Sequence, residues 1–99
     1  MADGSLEYHP EARAELLEAH SWYSGIGEAL GQKFLDELYR SAQRVVQYPR
    51  SYPTTYRVFH SCLLNTFPYK IVYRVRQSRI YVLAIAHTSK RPGYWRRRA

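Results

Sequence analysis

Two helical patterns joined by a very short connection constrain the fold of this chain most strongly. The first lies in residues 10–24, where apolar residues recur at helical spacing at Ala12, Leu16, Ala19 and Tyr23. The second runs from about residue 28 to residue 48 and comprises Leu30, Phe34, Leu38, Ala42 and Val45. Gly25 and Gly27 interrupt the pattern between them. Because short connections join antiparallel neighbours, the sequence predicts a helical hairpin.

The remainder of the chain is typical of β-structure. Branched and aromatic residues dominate "SCLLNTF" at 61–67, "YKIVYRV" at 69–75 and "IYVLAIAH" at 80–87, and "SLEY" at 5–8 is a further short candidate. The predicted order is therefore β-α-α-β-β-β. This order favours the α+β class, with the two-helix hairpin packed on one face of a small, mainly antiparallel β-sheet.

Alternation along the predicted middle strand assigns residues to the two faces of the sheet. Ile71 and Val75 share one face, whereas Lys70 and Arg74 share the opposite one. We expect this basic face to stay open, because the helices cover the other. The last strand is apolar on both faces, which predicts a position inside the sheet rather than at its edge.

Charge is strongly segregated along the chain. The 99 residues carry a formal net charge of +7, and all eight acidic residues lie in residues 1–39. Thirteen of the fifteen Lys and Arg residues follow, with no Asp or Glu among them. The acids of the helices read as a solvated face. Such a basic field attracts polyanions and acidic proteins.

Length and composition exclude several classes of protein. A chain of 99 residues predicts a single domain over 1–99, in which residues 96–99 form a basic, solvated tail. No apolar run suits a membrane helix, and the start "MADGSLEYHP" predicts no signal peptide. One cysteine excludes an internal disulfide. We therefore expect a cytoplasmic protein without a membrane partner.

Known catalytic patterns are absent from the sequence. It contains no glycine-rich phosphate loop and no Cys/His cluster with metal-ligand spacing, so we expect no cofactor and no metal. A nucleophile pair of Cys62 and His60 is an alternative, but a lone strand cysteine more often fills space in a core. Paired carboxylates are excluded from the basic half, which has no acid.

Basic and aromatic residues remain as candidates for function. Phosphate binding is the chemistry open to Arg57, Lys70, Arg74, Lys90 and Arg91. Stacking on unpaired bases is open to Tyr56, Tyr69, Tyr81, Tyr94 and Trp95. His87 ends the last predicted strand, where an imidazole can act as general acid or base. The ordinary alternatives are a backbone-bonded strand-end histidine and aromatic packing, which for Trp95 pins the tail to the domain.

The order of these segments resembles the RelE/ParE superfamily, the toxins of type II toxin–antitoxin systems, including plasmid stabilisation proteins. The resemblance rests on "YHPEARAELLEAHSWY", a long second helix ending in "YP", "FPYKIVYRV" and "IYVLAIAHTSKRPGYW", and it spans residues 6–98. It implies a toxin that arrests growth, a helical hairpin on a small antiparallel sheet, and a cognate antitoxin in a hetero-oligomeric complex.

Two targets are known within this superfamily. RelE-like members are endoribonucleases that cut mRNA at the ribosome, and this is the predicted target; ParE-like members inhibit DNA gyrase without known nuclease activity, and this is the alternative. The candidate catalytic residues implied by the RelE-like resemblance are Lys70, His87, Arg91 and Tyr94. Arg57, Arg74 and Lys90 are the predicted target-binding residues. A plain RNA- or DNA-binding domain is a third interpretation, although no recognised reader motif is present.

Overall fold

A computed structural model describes residues 6–99, and its helices agree closely with the sequence pattern. Helix α1 spans Pro10–Ile26, with Pro10 in the first turn and His9 Nδ1 accepting a hydrogen bond from the Glu11 N–H at 3.0 Å. Helix α2 spans Glu28–Gln47. Extended backbone at Gly27 separates them. The predicted helical hairpin is confirmed.

The described residues form a five-stranded mixed sheet. Its strands are β1 (Leu6–Tyr8), β2 (Thr54–Tyr56), β3 (Phe59–Leu63), β4 (Tyr69–Arg76) and β5 (Arg79–His87). The order across the sheet is β1-β5-β4-β3-β2. Strand β1 pairs with β5 in parallel, whereas the other neighbours are antiparallel. The α+β class and the inner position of β5 are confirmed; Ser5 of the predicted first strand lies outside the described residues.

The predicted strand list needs two corrections. Strand β2 was missed, and β3 begins two residues before the predicted segment and ends at Leu63. The sequence "TTY" of β2 has no buried residue to give it an apolar alternation. Strand β2 forms because it pairs with β3 in a tight hairpin, in which Tyr56 is opposite Phe59. Arg57 in that turn has a φ of +53°, a conformation uncommon for a residue with a side chain.

The larger core lies between the helices and one face of the sheet. An aromatic cluster forms its centre, in which the Phe34 ring lies 5.3 Å from those of Tyr23 and Phe67. From the sheet, Ile71 and Tyr73 of β4 face this core, as alternation predicted. Burial of these apolar side chains supplies the main stabilisation of the hairpin against the sheet.

A second, smaller core covers the face of the sheet that was expected to stay open. A 3-10 helix, Tyr94–Arg98, folds back across this face after Gly93, whose φ of +77° permits the turn. Trp95 is 2% exposed and packs in a cluster with Phe59, Val72, Leu83, Ala84 and Ala86. The prediction of an open face was wrong at this place, because the C-terminal 3-10 helix buries these apolar side chains. The predicted packing role of Trp95 is confirmed.

Two acids that were read as solvated are buried or nearly so. Glu37 is 7% exposed, and its carboxylate accepts a hydrogen bond from the Thr66 N–H at 2.8 Å, which ties α2 to the loop before β4. Burial alone would raise the pKa of Glu37, but the backbone donors of that loop lower it below its usual value. Glu15 is held by the C-terminal segment. The prediction of a uniformly solvated acidic face was therefore wrong at both positions.

Candidate target-binding surfaces

His87 lies at the end of β5, on the face of the sheet that carries the helices. Its backbone is opposite Tyr69 in β4, and the two rings meet edge to face at 4.9 Å. Its Nδ1 accepts a hydrogen bond from the Ser89 N–H at 3.0 Å. The proton of the neutral ring consequently lies on Nε2, which donates rather than accepts. In this arrangement His87 is poorly placed to act as a general base.

A β-bulge decides which face His87 occupies. Val72 pairs with Ala84 and Tyr73 pairs with Val82, so Leu83 is an extra residue in β5. One additional residue moves all the following side chains to the opposite face. Without the bulge, alternation from Val82 would place His87 on the face of Lys70.

Lys70 and Arg74 lie on the opposite face of the sheet from His87. Lys70 is opposite Ala86, which packs in the Trp95 cluster, whereas its neighbour Tyr69 is opposite His87. The sheet therefore separates Lys70 from His87, and these two predicted catalytic residues do not share a site.

Tyr94 and Arg98 are joined to Glu15 of α1. The Tyr94 hydroxyl donates to Glu15 Oε2 at 2.7 Å, and the Arg98 guanidinium donates to both carboxylate oxygens, at 3.0 and 2.8 Å. Arg98 also donates to the Leu83 carbonyl at 3.1 Å, and Glu15 accepts the Ile85 N–H at 3.0 Å. Strand β1 ends at Tyr8, opposite Val82, so it does not pair with the following residues of β5. There the side chains of Glu15 and Arg98 bind the backbone groups of Ile85 and Leu83 instead. Arg98 is thus structural and not part of a solvated tail.

The ionisation of this network follows from its hydrogen bonds. Burial alone would raise the pKa of Glu15, but donors from Arg98, Tyr94 and the Ile85 N–H lower it below its usual value. Burial, together with the bond to Glu15, raises the pKa of Tyr94. The hydrogen bond to Glu15 raises the pKa of Arg98. At neutral pH the carboxylate and guanidinium are both charged and Tyr94 keeps its proton, which disfavours proton transfer by this phenol.

A cleft beside α1, here called the histidine cleft, gathers some of the predicted site residues. It has a volume of about 310 Å³, and its lining includes Glu15, Glu18, Trp22, Tyr69, His87, Lys90 and Tyr94. The Lys90 ammonium lies 5.3 Å from the centre of the Tyr94 ring. Arg91 is exposed in the adjacent turn, and its carbonyl accepts the Tyr94 N–H at 3.2 Å. His87, Lys90 and Tyr94 are thus brought together, with Arg91 nearby in sequence.

A second cleft lies on the other face of the sheet, and we call it the basic–aromatic cleft. It has a volume of about 500 Å³ and is lined by Tyr56, Arg57, Phe59, Arg74 and Arg96, among others. Arg57 and Arg74 are predicted target-binding residues, and the structure brings them together. Arg96 was assigned to the solvated tail, and its contribution to this cleft was missed.

Sequence reasoning also missed Glu15. Its position between Ala12 and Ala19, at helical spacing from both, contained the clue, since these alanines are 0% and 3% exposed. Arg98 offered no comparable clue, because its partner lies far away in the sequence.

The cysteine and the histidines do not assemble a site for other chemistry. Burial raises the pKa of the Cys62 thiol, and His60 Nδ1 lies 2.7 Å from the Tyr52 carbonyl oxygen. A buried, protonated thiol is a poor nucleophile, so the Cys62–His60 alternative loses its support. Within residues 6–99, no three His, Cys, Asp or Glu side chains form a group suited to a metal ion.

Comparison with known proteins assigns the family. The family described as "ParE toxin of type II toxin-antitoxin system, parDE" matches residues 6–92. This chain belongs to the ParE toxin family. The match spans both helices, all five strands and His87, Lys90 and Arg91, and ends before Tyr94 and the 3-10 helix.

A solved structure agrees with this assignment at the level of fold. A chain from a structure described as "Chromosomal ParDE TA system from P. aeruginosa" superposes with a TM-score of 0.75 at 20% sequence identity. The similarity covers 86% of this chain and 96% of the other. Among curated proteins no relative matches. In the part of the chain from residue 6 onward, neither helix is long and apolar enough to cross a membrane.

Proposed function

We propose that this chain is the toxin of a type II toxin–antitoxin module and that it arrests growth by binding DNA gyrase without catalysing a reaction. Membership of the ParE family favours gyrase over the mRNA target that the sequence first suggested. The observation that carries the non-catalytic part is the separation of the candidate catalytic groups. Lys70 and His87 lie on opposite faces of the sheet, and the Tyr94 hydroxyl is bound to Glu15.

RNA cleavage at the ribosome is the second candidate, because thirteen basic residues follow residue 39 without an acid. In that case Lys70, His87, Arg91 and Tyr94 would need to converge on one phosphate to stabilise its charge in the transition state. Their catalytic roles stay a prediction. Arg57, Arg74 and Lys90 are target-binding candidates under both proposals, since attraction of a polyanion or an acidic surface requires only charge.

A cognate antitoxin is the second partner in this proposal. Large apolar side chains on α1 are exposed, with Leu17 at 55%, Trp22 at 67% and Ile26 at 65%. Trp22 and Ile26 lie one turn apart and line one shallow groove beside Glu18, and neighbouring exposed apolar side chains of this kind are typical of a protein–protein interface. We propose a hetero-oligomeric complex in the cytoplasm, in which the antitoxin covers part of the toxin and raises its stability by mass action.

Inducible expression in a bacterial host tests the proposal. The chain is induced alone and together with its antitoxin, and growth, the DNA-damage response and mRNA integrity are followed in parallel. We expect growth arrest with a damage response and intact mRNA, and full reversal by the antitoxin. Rapid mRNA cleavage that disappears in Lys70→Ala or His87→Ala would establish the nuclease alternative. Absence of any arrest would refute the toxin assignment.

A further inference from the structure

Three guanidinium groups converge in the basic–aromatic cleft. The Arg96 guanidinium lies 4.0 Å from the centre of the Tyr56 ring, and that of Arg57 lies 5.3 Å from the same ring. Arg74 lies 5.6 Å from the centre of the Phe59 ring. The Tyr56 and Phe59 rings are stacked, with centres 6.2 Å apart. Four segments of the fold, namely β2 with its turn, β3, β4 and the 3-10 helix, are therefore arranged to hold these cations.

None of the three arginines has an acidic partner among residues 6–99. The acids that form ion pairs there are Glu7, Glu11 and Glu15, and they pair with Arg79, Arg97 and Arg98. Like charges gathered without a counter-ion repel one another. An anion in the cleft would remove this repulsion.

Arg74 gives a second, independent indication of a missing anion. Its Nε is buried and has no hydrogen-bond partner; this is also true of the Nε of Arg98, but the other nitrogens of Arg98 are bound to Glu15 and to the Leu83 carbonyl. A buried donor without an acceptor is unfavourable and uncommon in folded proteins. An oxygen of a bound anion would satisfy the guanidinium, which presents several donors in a fixed fork.

The positive groups follow a line, which favours an extended polyanion over a small anion. A second cleft shares Arg74 with the first and continues to Arg76 at the β4–β5 turn, where the charge of Arg79 is already paired with Glu7. Arg74 and Arg76 share one face of β4, roughly 7 Å apart along the strand. Lys70 continues the same face in the other direction.

The aromatic rings of the cleft are already covered by arginines. Phe59 is buried, and cations lie against Tyr56, so these rings are not available for stacking on bases. The contact offered by the cleft is therefore one to phosphates, which positions a nucleic acid without reading its sequence.

Arg57 adds an observation from the backbone. Its φ of +53° is a conformation that Gly or Asn adopts more easily in such a hairpin turn. Its Nε donates to the Tyr56 hydroxyl at 3.0 Å, which holds the guanidinium at the mouth of the cleft. The turn would form more easily with glycine at position 57, so the presence of arginine there is consistent with a need for its positive charge.

We infer that the basic–aromatic cleft binds the phosphodiester backbone of a nucleic acid strand. This goes beyond the proposed function, which concerns gyrase as a protein. If the proposed function holds, DNA held by gyrase supplies the strand; RNA offers the same phosphodiester chemistry.

The test measures binding of the purified full chain to short fluorescent oligonucleotides by anisotropy, over a series of salt concentrations. The probes are duplex DNA, single-stranded DNA and RNA. We expect affinity to fall steeply with salt, because binding releases counter-ions. The Arg57→Gln/Arg96→Gln variant should bind on the order of tenfold or more weakly, with a salt slope reduced by about 1 per arginine lost. The matched control is Arg40→Gln, an exposed arginine on α2, which should bind like the original chain.

A second variant separates binding from folding. Arg57→Gly removes the same charge and relieves the positive φ, so we expect weaker binding with an unchanged circular dichroism spectrum. Equal losses in the Arg40 control, or no loss in either cleft variant, would overturn the inference. So would polyglutamate that binds as tightly as the oligonucleotides and responds to the same substitutions, since the cleft would then suit an acidic peptide.

The outcomes for the cleft and for gyrase are distinguishable. The probe that the chain binds most tightly identifies the type of nucleic acid that the cleft accepts. Tightest binding to any one of the three probes supports the inference. A chain that binds DNA through the cleft but leaves gyrase supercoiling intact would refute the proposed function alone. Inhibition of gyrase without oligonucleotide binding would overturn the inference alone.

Discussion

Replacing Glu15 by Ala should destabilise this protein severely. Its side chain is 16% exposed, and that of its partner Arg98 is 5% exposed. The substitution leaves the Tyr94 hydroxyl and the Ile85 N–H without their acceptor, and it leaves Arg98 with only the Leu83 carbonyl and the half-exposed Glu11 carboxylate, 3.3 Å away. Breaking a buried pair by removing one partner costs about 3–5 kcal/mol. Because a domain of this kind has a free energy of unfolding of about 5–15 kcal/mol, a large fraction of its stability would be lost.

Urea unfolding at neutral pH, followed by far-ultraviolet circular dichroism, measures this effect. The control is Glu18→Ala on the same helix, which removes an exposed acid and should change the free energy of unfolding by less than about 0.5 kcal/mol. The double variant Glu15→Ala/Arg98→Ala should lose less than the sum of the single variants, because it leaves no unpaired buried cation. A loss below about 1 kcal/mol for Glu15→Ala would refute the reasoning.

The same network predicts a pH dependence of stability. The pKa of Glu15 is lowered in the fold, because hydrogen bonds from Arg98, Tyr94 and Ile85 outweigh the effect of burial. A lowered pKa means that the stabilisation is complete above the unfolded value of 4.5 and is lost as the pH falls through the folded value. The difference in free energy of unfolding between the original chain and Glu15→Gln should therefore shrink on acidification. A difference that grows in acid would contradict this sign.

Three further predictions concern packing. A methyl group at Gly31 would lie 2.0 Å from Ser24 Oγ and 3.0 Å from its Cα, so Gly31→Ala should destabilise by about 1–3 kcal/mol in urea unfolding. Its control is Gly25→Ala, where nothing lies within 4 Å and a neutral or stabilising effect is expected. Trp95→Ala should cost about 3–5 kcal/mol in the same assay, since this ring is 2% exposed. Cys62 is 1% exposed with a raised pKa, so a thiol reagent should modify it only as fast as the protein unfolds; rapid modification of the folded chain would contradict its burial.

Local patterns predicted the helices and the main strands because burial follows the period of each element. The apolar stripe that includes Phe34 and Leu38 faces the sheet, and Gly27 separates the helices where the pattern breaks. Strand β2 was not predicted because its three residues contain no buried side chain. Strand β2 forms because it pairs with β3. The periodicity of a single segment carries no information about pairing between two segments.

The arrangement of the site was less accessible from sequence. Lys70 was placed correctly by alternation in β4, but the bulge at Leu83 moves His87 to the other face. The segment "YVLAIA" is apolar throughout, so it offers no alternation from which a bulge is recognised. The pairing of Glu15 with Arg98 joins residues from opposite ends of the chain, and only the return of the 3-10 helix brings them together.

A supercoiling assay with purified gyrase, run beside an RNA-cleavage assay on translating ribosomes, tests the central claim most directly. The account predicts that increasing amounts of this chain inhibit supercoiling, that RNA stays intact, and that added antitoxin restores gyrase activity. Normal supercoiling together with ribosome-dependent RNA cleavage would contradict it and assign the chain a catalytic role.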